Sequence, residues 1–309
     1  MPSFVLQSKD MNDLPLVSVG IPTFNRPEGI RNTLLNITNQ TYKNIEVIVS
    51  DNCSPNHEVK SIVEEFCRKD SRVIYYRQEE NIGIVNNFKF VLKESAGDYF
   101  MWAADDDEWH PDFINELISI IGNKSAAFSN YSIKVNGTNS VTEINLNKSA
   151  SGSEKYEQAK NHLLERIPSM FYCIYKTQDI SWFINYEKTY DWQDCFVQLK
   201  IILLFSGYAI SERFLFTAGI ADISYEYKPI SINKKKLFTY FPYFRECTRV
   251  ILRSPVTVIQ KLKLIFYLFD VNFKSFIKLE TMRKNFKFYS VVYRFYNLIS
   301  PIKNVRRLY

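Results

Sequence analysis

A chain of 309 residues with 46% hydrophobic and 23% charged residues can fold as one large domain, or as one domain with an appendage. Its five cysteines (53, 67, 173, 195 and 247) form no CxxC pair and its three histidines lack ligand spacing, which excludes a zinc module and reads as reduced, cytosolic thiols. The net charge of +6 hides a split: residues 1–229 carry 22 basic and 30 acidic groups, whereas residues 230–309 carry 17 basic and 3 acidic ones, a cationic tail that asks for an anionic partner.

Met1 to Asp10 contains no apolar stretch suited to a signal peptide, and runs such as "LIFYLF" (264–269) are too short to span a bilayer, so the chain is expected in the cytosol. "LVSVGIPTF" (16–24) predicts a first strand. Asn25 is then expected to cap a helix that has Pro27 in its first turn and Glu28 three positions on. "IEVIVSDN" (45–52) is a continuous apolar run, as a strand buried on both faces requires, and Val59, Ile62, Val63 and Phe66 follow at helical spacing. "VIYYRQ" (73–78) predicts a third strand, Ile84, Phe88, Val91 and Leu92 a third helix, and "YFMWAA" (99–104) a fourth strand. Strand alternating with helix implies an α/β fold, a mostly parallel sheet with helices on both faces.

The second half is less regular. "AAFSNYSIKV" (126–135) and "YAISERFLFTAG" (208–219) read as strands, residues 136–153 as a loop and residues 222–236 as a polar link. The tail beyond is mostly helical, with interruptions expected at Pro242, Pro255 and Pro301. Nine glycines and no glycine-rich phosphate loop argue against a P-loop.

"MWAADDDEWHP" (101–111) sets three adjacent carboxylates at the end of the fourth strand. A solvated turn would explain that triplet alone. "PTFN" (22–25) and "SDN" (50–52), however, end their own strands at the same edge, where ligands of parallel sheets bind. Three polar strand ends along one rim describe a site.

The series "VSVGIPTFNRPEGIRNTLLNITNQTYKNIEVIVSDNCSPN" (17–56), "NIGIVNNF" (81–88) and "AGDYFMWAADDDEWHPDFI" (96–114) resembles the family 2 glycosyltransferases of the GT-A fold, closely over residues 16–121 and loosely over 122–220. The resemblance implies a nucleotide-sugar-binding half (1–121), an acceptor-binding half (122–229) and a basic helical C-terminal region (230–309). It also implies a divalent cation, Mn²⁺ or Mg²⁺, since such ions take one or two carboxylates plus the diphosphate oxygens of the donor. On that alignment Asp106 matches the principal metal-binding acid. The earlier acid of the usual D-x-D is replaced by Ala104, so either Asp105, which also borders the ribose, or Asp107 assists. Asp51 matches the acid that contacts the base and Phe24 the aromatic lying on its ring, with Pro22 and Thr23 bordering the same pocket. Phe24 would otherwise be a core residue. Asn81, Gly83 and Asn87 fall near the nucleotide, or else form an ordinary helix cap.

The attacking hydroxyl needs a base. The family supplies an Asp opening a helix in the acceptor half, and "YDWQDCFVQLKIILLFSG" (190–207) offers Asp194 as the better match and Asp191 one turn earlier; both would otherwise only favour the helix N-terminus. What the resemblance implies is an inverting, metal-assisted transfer of a sugar, hexosyl in type and UDP-linked in the donor, to a hydroxyl of a glycan or lipid-linked glycan. The pathway expected is bacterial polysaccharide, such as capsule or lipopolysaccharide. The other reading is a nucleotide-sugar-binding scaffold without catalysis. In residues 276–299, Leu279, Met282, Phe286, Tyr289, Tyr293 and Tyr296 form one stripe with Arg283, Lys284, Lys287 and Arg294 beside it, which suggests a peripheral contact with an anionic membrane on its cytoplasmic face. Packing on the body or a homo-oligomer contact would use the same pattern, and nucleic acid is not expected as a partner.

Overall fold

The computed structural model describes residues 14–135, 141–146, 154–190, 192–220 and 241–284. In chain order the first half runs β1 (Val17–Thr23), α1 (Pro27–Thr38), β2 (Ile45–Asp51), α2 (His57–Lys69), β3 (Val73–Arg77), α3 (Ile84–Lys93) and β4 (Tyr99–Trp102). β5 (Glu108–Trp109), α4 (Phe113–Ile121), β6 (Ala126–Val135), β7 (Val141–Ile144), α5 (Lys155–Glu165), β8 (Ile174–Lys176) and the single turn α6 (Thr177–Ile180) follow. The described part closes with α7 (Gln193–Leu204), β9 (Tyr208–Ile220), α8 (Phe241–Arg253) and α9 (Val258–Lys284).

All seven residues of β1 are buried, because helices cover both of its faces. β1 lies between β2 and β4 with parallel pairing throughout, and β3 continues the parallel set beyond β2. Among the described residues the sheet has nine strands, in the order β3-β2-β1-β4-β8-β6-β9-β5 with β7 also on β6. Past β4 the direction becomes mixed: β8 is antiparallel to both β4 and β6, and β9 is parallel to β6 with a register shift around Asn130.

The apolar spacing identified in the sequence marks the inward face of α2, where Val59, Ile62 and Val63 are buried, and part of that of α3, where Val91 and Leu92 are buried but Ile84, on the first turn, is 66% exposed. Ile30, Leu34 and Ile37 of α1 are buried too, so truncating one such side chain, Leu34→Ala for instance, would cost about 2–5 kcal/mol. The many aromatics have a structural use at the seam between the halves. Trp102 stacks on Phe171 (ring centroids 4.5 Å) and meets Phe100, Tyr175 and Phe183 edge-on.

Three local expectations change. Asn25 is not the cap of α1; it adopts a left-handed φ of 57°, which asparagine tolerates, and Arg26 takes the cap position without a side-chain cap bond. The expected loop 136–153 contains β7, because Val141–Ile144 finds the free edge of β6 and pairs antiparallel from Tyr131 to Lys134. Pro242 sits in the first turn of α8, where no N–H is needed, whereas Pro255 falls in the break between α8 and α9. The link 222–236, Pro301, residues 285–299 of the cationic stripe and Asp191 lie outside the described residues. Among the described residues no helix is long and apolar enough to cross a membrane.

Candidate active site

The three strand ends do converge. β1 ends at buried Thr23, and the next residue, Phe24, is 44% exposed, a rim aromatic and not a core one. The two following turns are tied together: the Asn25 N–H donates to Ser54 Oγ (2.8 Å), and the Asn52 N–H to the Thr23 carbonyl (3.0 Å). Pro22 is buried in the sheet beside Ser50.

Asp51 has no exposed surface. Its carboxylate accepts from the Ser54 N–H (2.8 Å), the Tyr75 hydroxyl (3.0 Å) and Arg77 Nη1 (2.5 Å). In this conformation it is therefore a buried anchor that holds Arg77 at the rim. Asn81 accepts from Asn52 Nδ2 (3.0 Å) and from the Gly83 N–H (2.9 Å), while Asn52 Oδ1 accepts from the Ile82 N–H (2.8 Å), so the two asparagines lock the turn before α3. Gly83 takes the N-cap position of α3 with φ 81°, in open space where a side chain would meet nothing but would strain the backbone. Asn87 is buried, accepts from Ser50 Oγ (2.6 Å) and donates to the Ser50 carbonyl (2.9 Å), bracing α3 against β2. Of these three residues, Asn81 and Gly83 border the rim and Asn87 lies beneath it.

The aspartates divide. Thr23 Oγ1 donates to Asp105 Oδ2 (2.7 Å), and Arg26 Nη1 bridges Asp105 Oδ1 (3.0 Å) and Asp106 Oδ2 (2.8 Å). Burial works against the charge of Arg26, but its hydrogen bonds and charge contacts with Asp106 and Asp105 hold it firmly protonated. Burial lifts Asp105 above the usual carboxylate range against the pull of Thr23 and Arg26. Asp107 is held from another side. It is buried, accepts from the Gly219 N–H (3.0 Å), and is pushed well above the usual range by burial and by neighbouring Asp106. Two backbones enclose the turn: a β-carbon on Gly29 would strike the Asp105 carbonyl, and one on Gly219 the Asp106 carbonyl. A cleft of about 860 Å³ runs from the acids along α1, lined by Arg26, Glu28, Asn32, Asn36 and Glu58 among others.

Asp194 stands in the first turn of α7, behind Trp192, whose φ of 66° swings the chain into the helix. Arg166, on the turn after α5, stacks on the Trp192 ring at 4.8 Å. Burial raises the Asp194 carboxyl against backbone hydrogen bonds at the helix start. The Tyr172 hydroxyl is held well above its ordinary range, first by burial and then by the charges of Asp107, Asp106, Asp194 and Asp105.

Arg26, Gly29, Arg77, Tyr172 and Gly219 were not found by motif. A cation right after the "PTFN" strand end was the available signal for Arg26. Tyr172 and Gly219 lie in the loosely matching half and left none.

A divalent cation fits these residues. Two carboxylate oxygens from adjacent residues already converge on one positive group, the Arg26 guanidinium, at 2.8 and 3.0 Å. Among the described residues no three His, Cys, Asp or Glu side chains converge as a complete protein cage, and a Mg²⁺- or Mn²⁺-type site needs none.

Parallel strands that end in acids on one rim, followed by a mixed half with an aspartate opening a helix, are the GT-A architecture. The fold matches residues 1–349 of S. aureus TarS, solved in complex with UDP-GlcNAc, with a TM-score of 0.68 over 91% of this chain and 79% of that one at 15% identity. It also matches the mannosyltransferase PcManGT of Pyrobaculum calidifontis, solved with GDP-Man and Mn2+, with a TM-score of 0.53 over 95% of this chain and 84% of that one at 12% identity. The chain belongs to glycosyl transferase family 2, whose family model matches residues 18–181. A Campylobacter jejuni GalNAc(5)-diNAcBac-PP-undecaprenol beta-1,3-glucosyltransferase is 30% identical over 169 residues, 53% of this chain and 52% of that protein. A Bacillus subtilis glycosyltransferase assigned to teichuronic acid biosynthesis is 29% identical over 115 residues, 37% and 45% of the two chains. The chain spans about half the length, or less, of the curated relatives it matches.

Proposed function

We propose that the protein transfers a sugar, hexosyl in type, from a UDP-linked donor to a hydroxyl of a glycan or lipid-linked glycan, with inversion at the anomeric carbon. The observation that carries this reading is the convergence of Asp105 and Asp106 on one cationic group at the end of β4. Asp106, with the more exposed carboxylate, and Asp105 would hold Mg²⁺ or Mn²⁺. When bound, such a cation neutralises the diphosphate as the glycosidic bond breaks. Thr23 orients Asp105. Arg26 is positioned to turn from the acids to a diphosphate oxygen when a donor enters, and the exposed ring of Phe24 is available to stack on the base. Asp194, with its raised pKa, takes the acceptor proton, so no covalent enzyme intermediate is needed. The C. jejuni relative's name supports a lipid-linked glycan as acceptor, and the cationic tail supports a peripheral site on the cytoplasmic membrane face.

The test is donor hydrolysis across a panel of nucleotide sugars, without acceptor, in Mn²⁺ or Mg²⁺ and in chelator. UDP-sugar turnover that disappears in chelator and in Asp106→Ala is expected. Donor binding without turnover under every condition would instead identify a scaffold.

A further inference from the structure

The hairpin of α8 and α9 carries a surface that sugar transfer does not use. The inner side of α9 is anchored by Leu264, Leu268 and Val271, all buried. At about 100° per residue, Val258, Phe269, Leu262, Phe266 and Ile259 fall within one arc of about 100° on the opposite side. No polar residue shares that arc up to Phe269, and the five side chains lie in water, from 49% exposed at Phe266 to 72% at Val258. An outward helix face normally carries the polar residues; between Val258 and Phe269 this one carries none.

The charges of the same hairpin bear on what would cover the stripe. Glu246 and Asp270 are the only acids from Phe241 to Lys274, and both are buried and ion-paired, Glu246 with Lys188, Arg245 and Arg249, and Asp270 with Lys274. Arg245, Arg249, Arg253 and Lys263 are exposed, as is Leu252 (56%) on the same hairpin. The water-facing side of this region thus offers apolar groups and positive charge, and no exposed carboxylate. A second copy would bring like charge against like. An anionic bilayer supplies acyl chains for the stripe and phosphates for the arginines.

We propose that the outward stripe of α9 lies in the interface of an anionic lipid bilayer, with the exposed arginines of α8 at headgroup level. This rests on the peripheral-membrane part of the function proposed above and gives it an address earlier in the chain than the stripe at 279–296.

The experiment sediments the full chain with phosphatidylcholine vesicles, with and without phosphatidylglycerol, and assays donor hydrolysis on the same samples. The native chain is expected to pellet only with the anionic vesicles. L262S/F266S replaces exposed groups, so it should melt and hydrolyse donor like the native chain while its partition coefficient falls about tenfold or more. R249Q/R253Q should weaken binding by about fivefold per charge and flatten its salt dependence. Equal partitioning of L262S/F266S and the native chain would overturn the proposal. So would a native dimer, seen by gel filtration, that L262S/F266S dissolves without a change in partitioning; the face would then join two copies. A native chain that hydrolyses donor but stays in the supernatant sinks the membrane face and spares the transfer reading; vesicle binding without hydrolysis does the reverse.

Discussion

Gly219 donates its backbone N–H to Asp107 Oδ1 at 3.0 Å and lies against the Asp106 carbonyl with no room for a β-carbon between them. The obstacle is backbone, which cannot swing aside as a flexible side chain could. Gly219→Ala should therefore cost about 1–3 kcal/mol and several degrees of melting temperature. Donor hydrolysis should fall further than the folded fraction does, because the turn that carries the acids must shift. Thermal melts and initial rates on one preparation separate the two effects, and Gly29→Ala should behave alike from the other side of the turn.

Arg26 holds the two oxygens that a divalent cation would need. With the guanidinium removed, Arg26→Ala should bind Mn²⁺ about tenfold more tightly in the absence of nucleotide, since no internal cation competes. The same variant should bind UDP more weakly, by a similar factor, through loss of a phosphate contact. Titration calorimetry of each ligand measures both changes. Changes of equal sign would show that Arg26 does not pass between acids and phosphate.

Asp194 offers a pH signature. Its carboxyl lies above the ordinary aspartate pKa of about 3.9 because of burial, and a general base works only when deprotonated. The rate should thus rise with pH through that elevated pKa and be lost below it. Asp194→Asn should lower kcat by about a hundredfold or more at little change in donor affinity, and should erase the acidic limb. Asp191→Asn should be the milder change; the reverse order would move the base one turn back.

Asp107 should behave oppositely to a buried ion pair. Its folded-state pKa is raised, so the native state binds a proton more tightly than the unfolded chain does. The stability this gives is present at acidic pH and is lost as pH rises through the folded pKa. Asp107→Asn keeps an acceptor for the Gly219 N–H and removes the charge. It should match the native protein at acidic pH and exceed it in stability at neutral pH, as followed by denaturant melts.

The parallel half was legible because burial on both faces leaves an apolar run with a polar end, and β1, β2 and β4 carry that pattern openly. The acids at 105–107 stood out because they follow the end of a strand, whereas Asp194 was singled out by the family resemblance. β7 could not, since a partly exposed edge strand has no apolar run to betray it. Nor could the division of labour within the triplet. Whether Asp105 or Asp107 faces the shared cation depends on Thr23 and Gly219, which lie 82 positions before Asp105 and 112 positions after Asp107, and no local pattern records such distances. The partners of Asp51 were hidden in the same way, because Tyr75 and Arg77 come from the next strand.

The aspartate turn is completed by a strand synthesised long after it. β9, paired with β6 and β5, is what brings Gly219 to Asp107, so the first half of the chain does not by itself supply both walls of the turn. Folding thereby acts as a timer on chemistry: a chain still emerging, or one cut before residue 208, would present the strand-end acids without the geometry to use them. Such contacts, distant in sequence, are also the slow ones to form. The aspartate turn should therefore be completed late in folding.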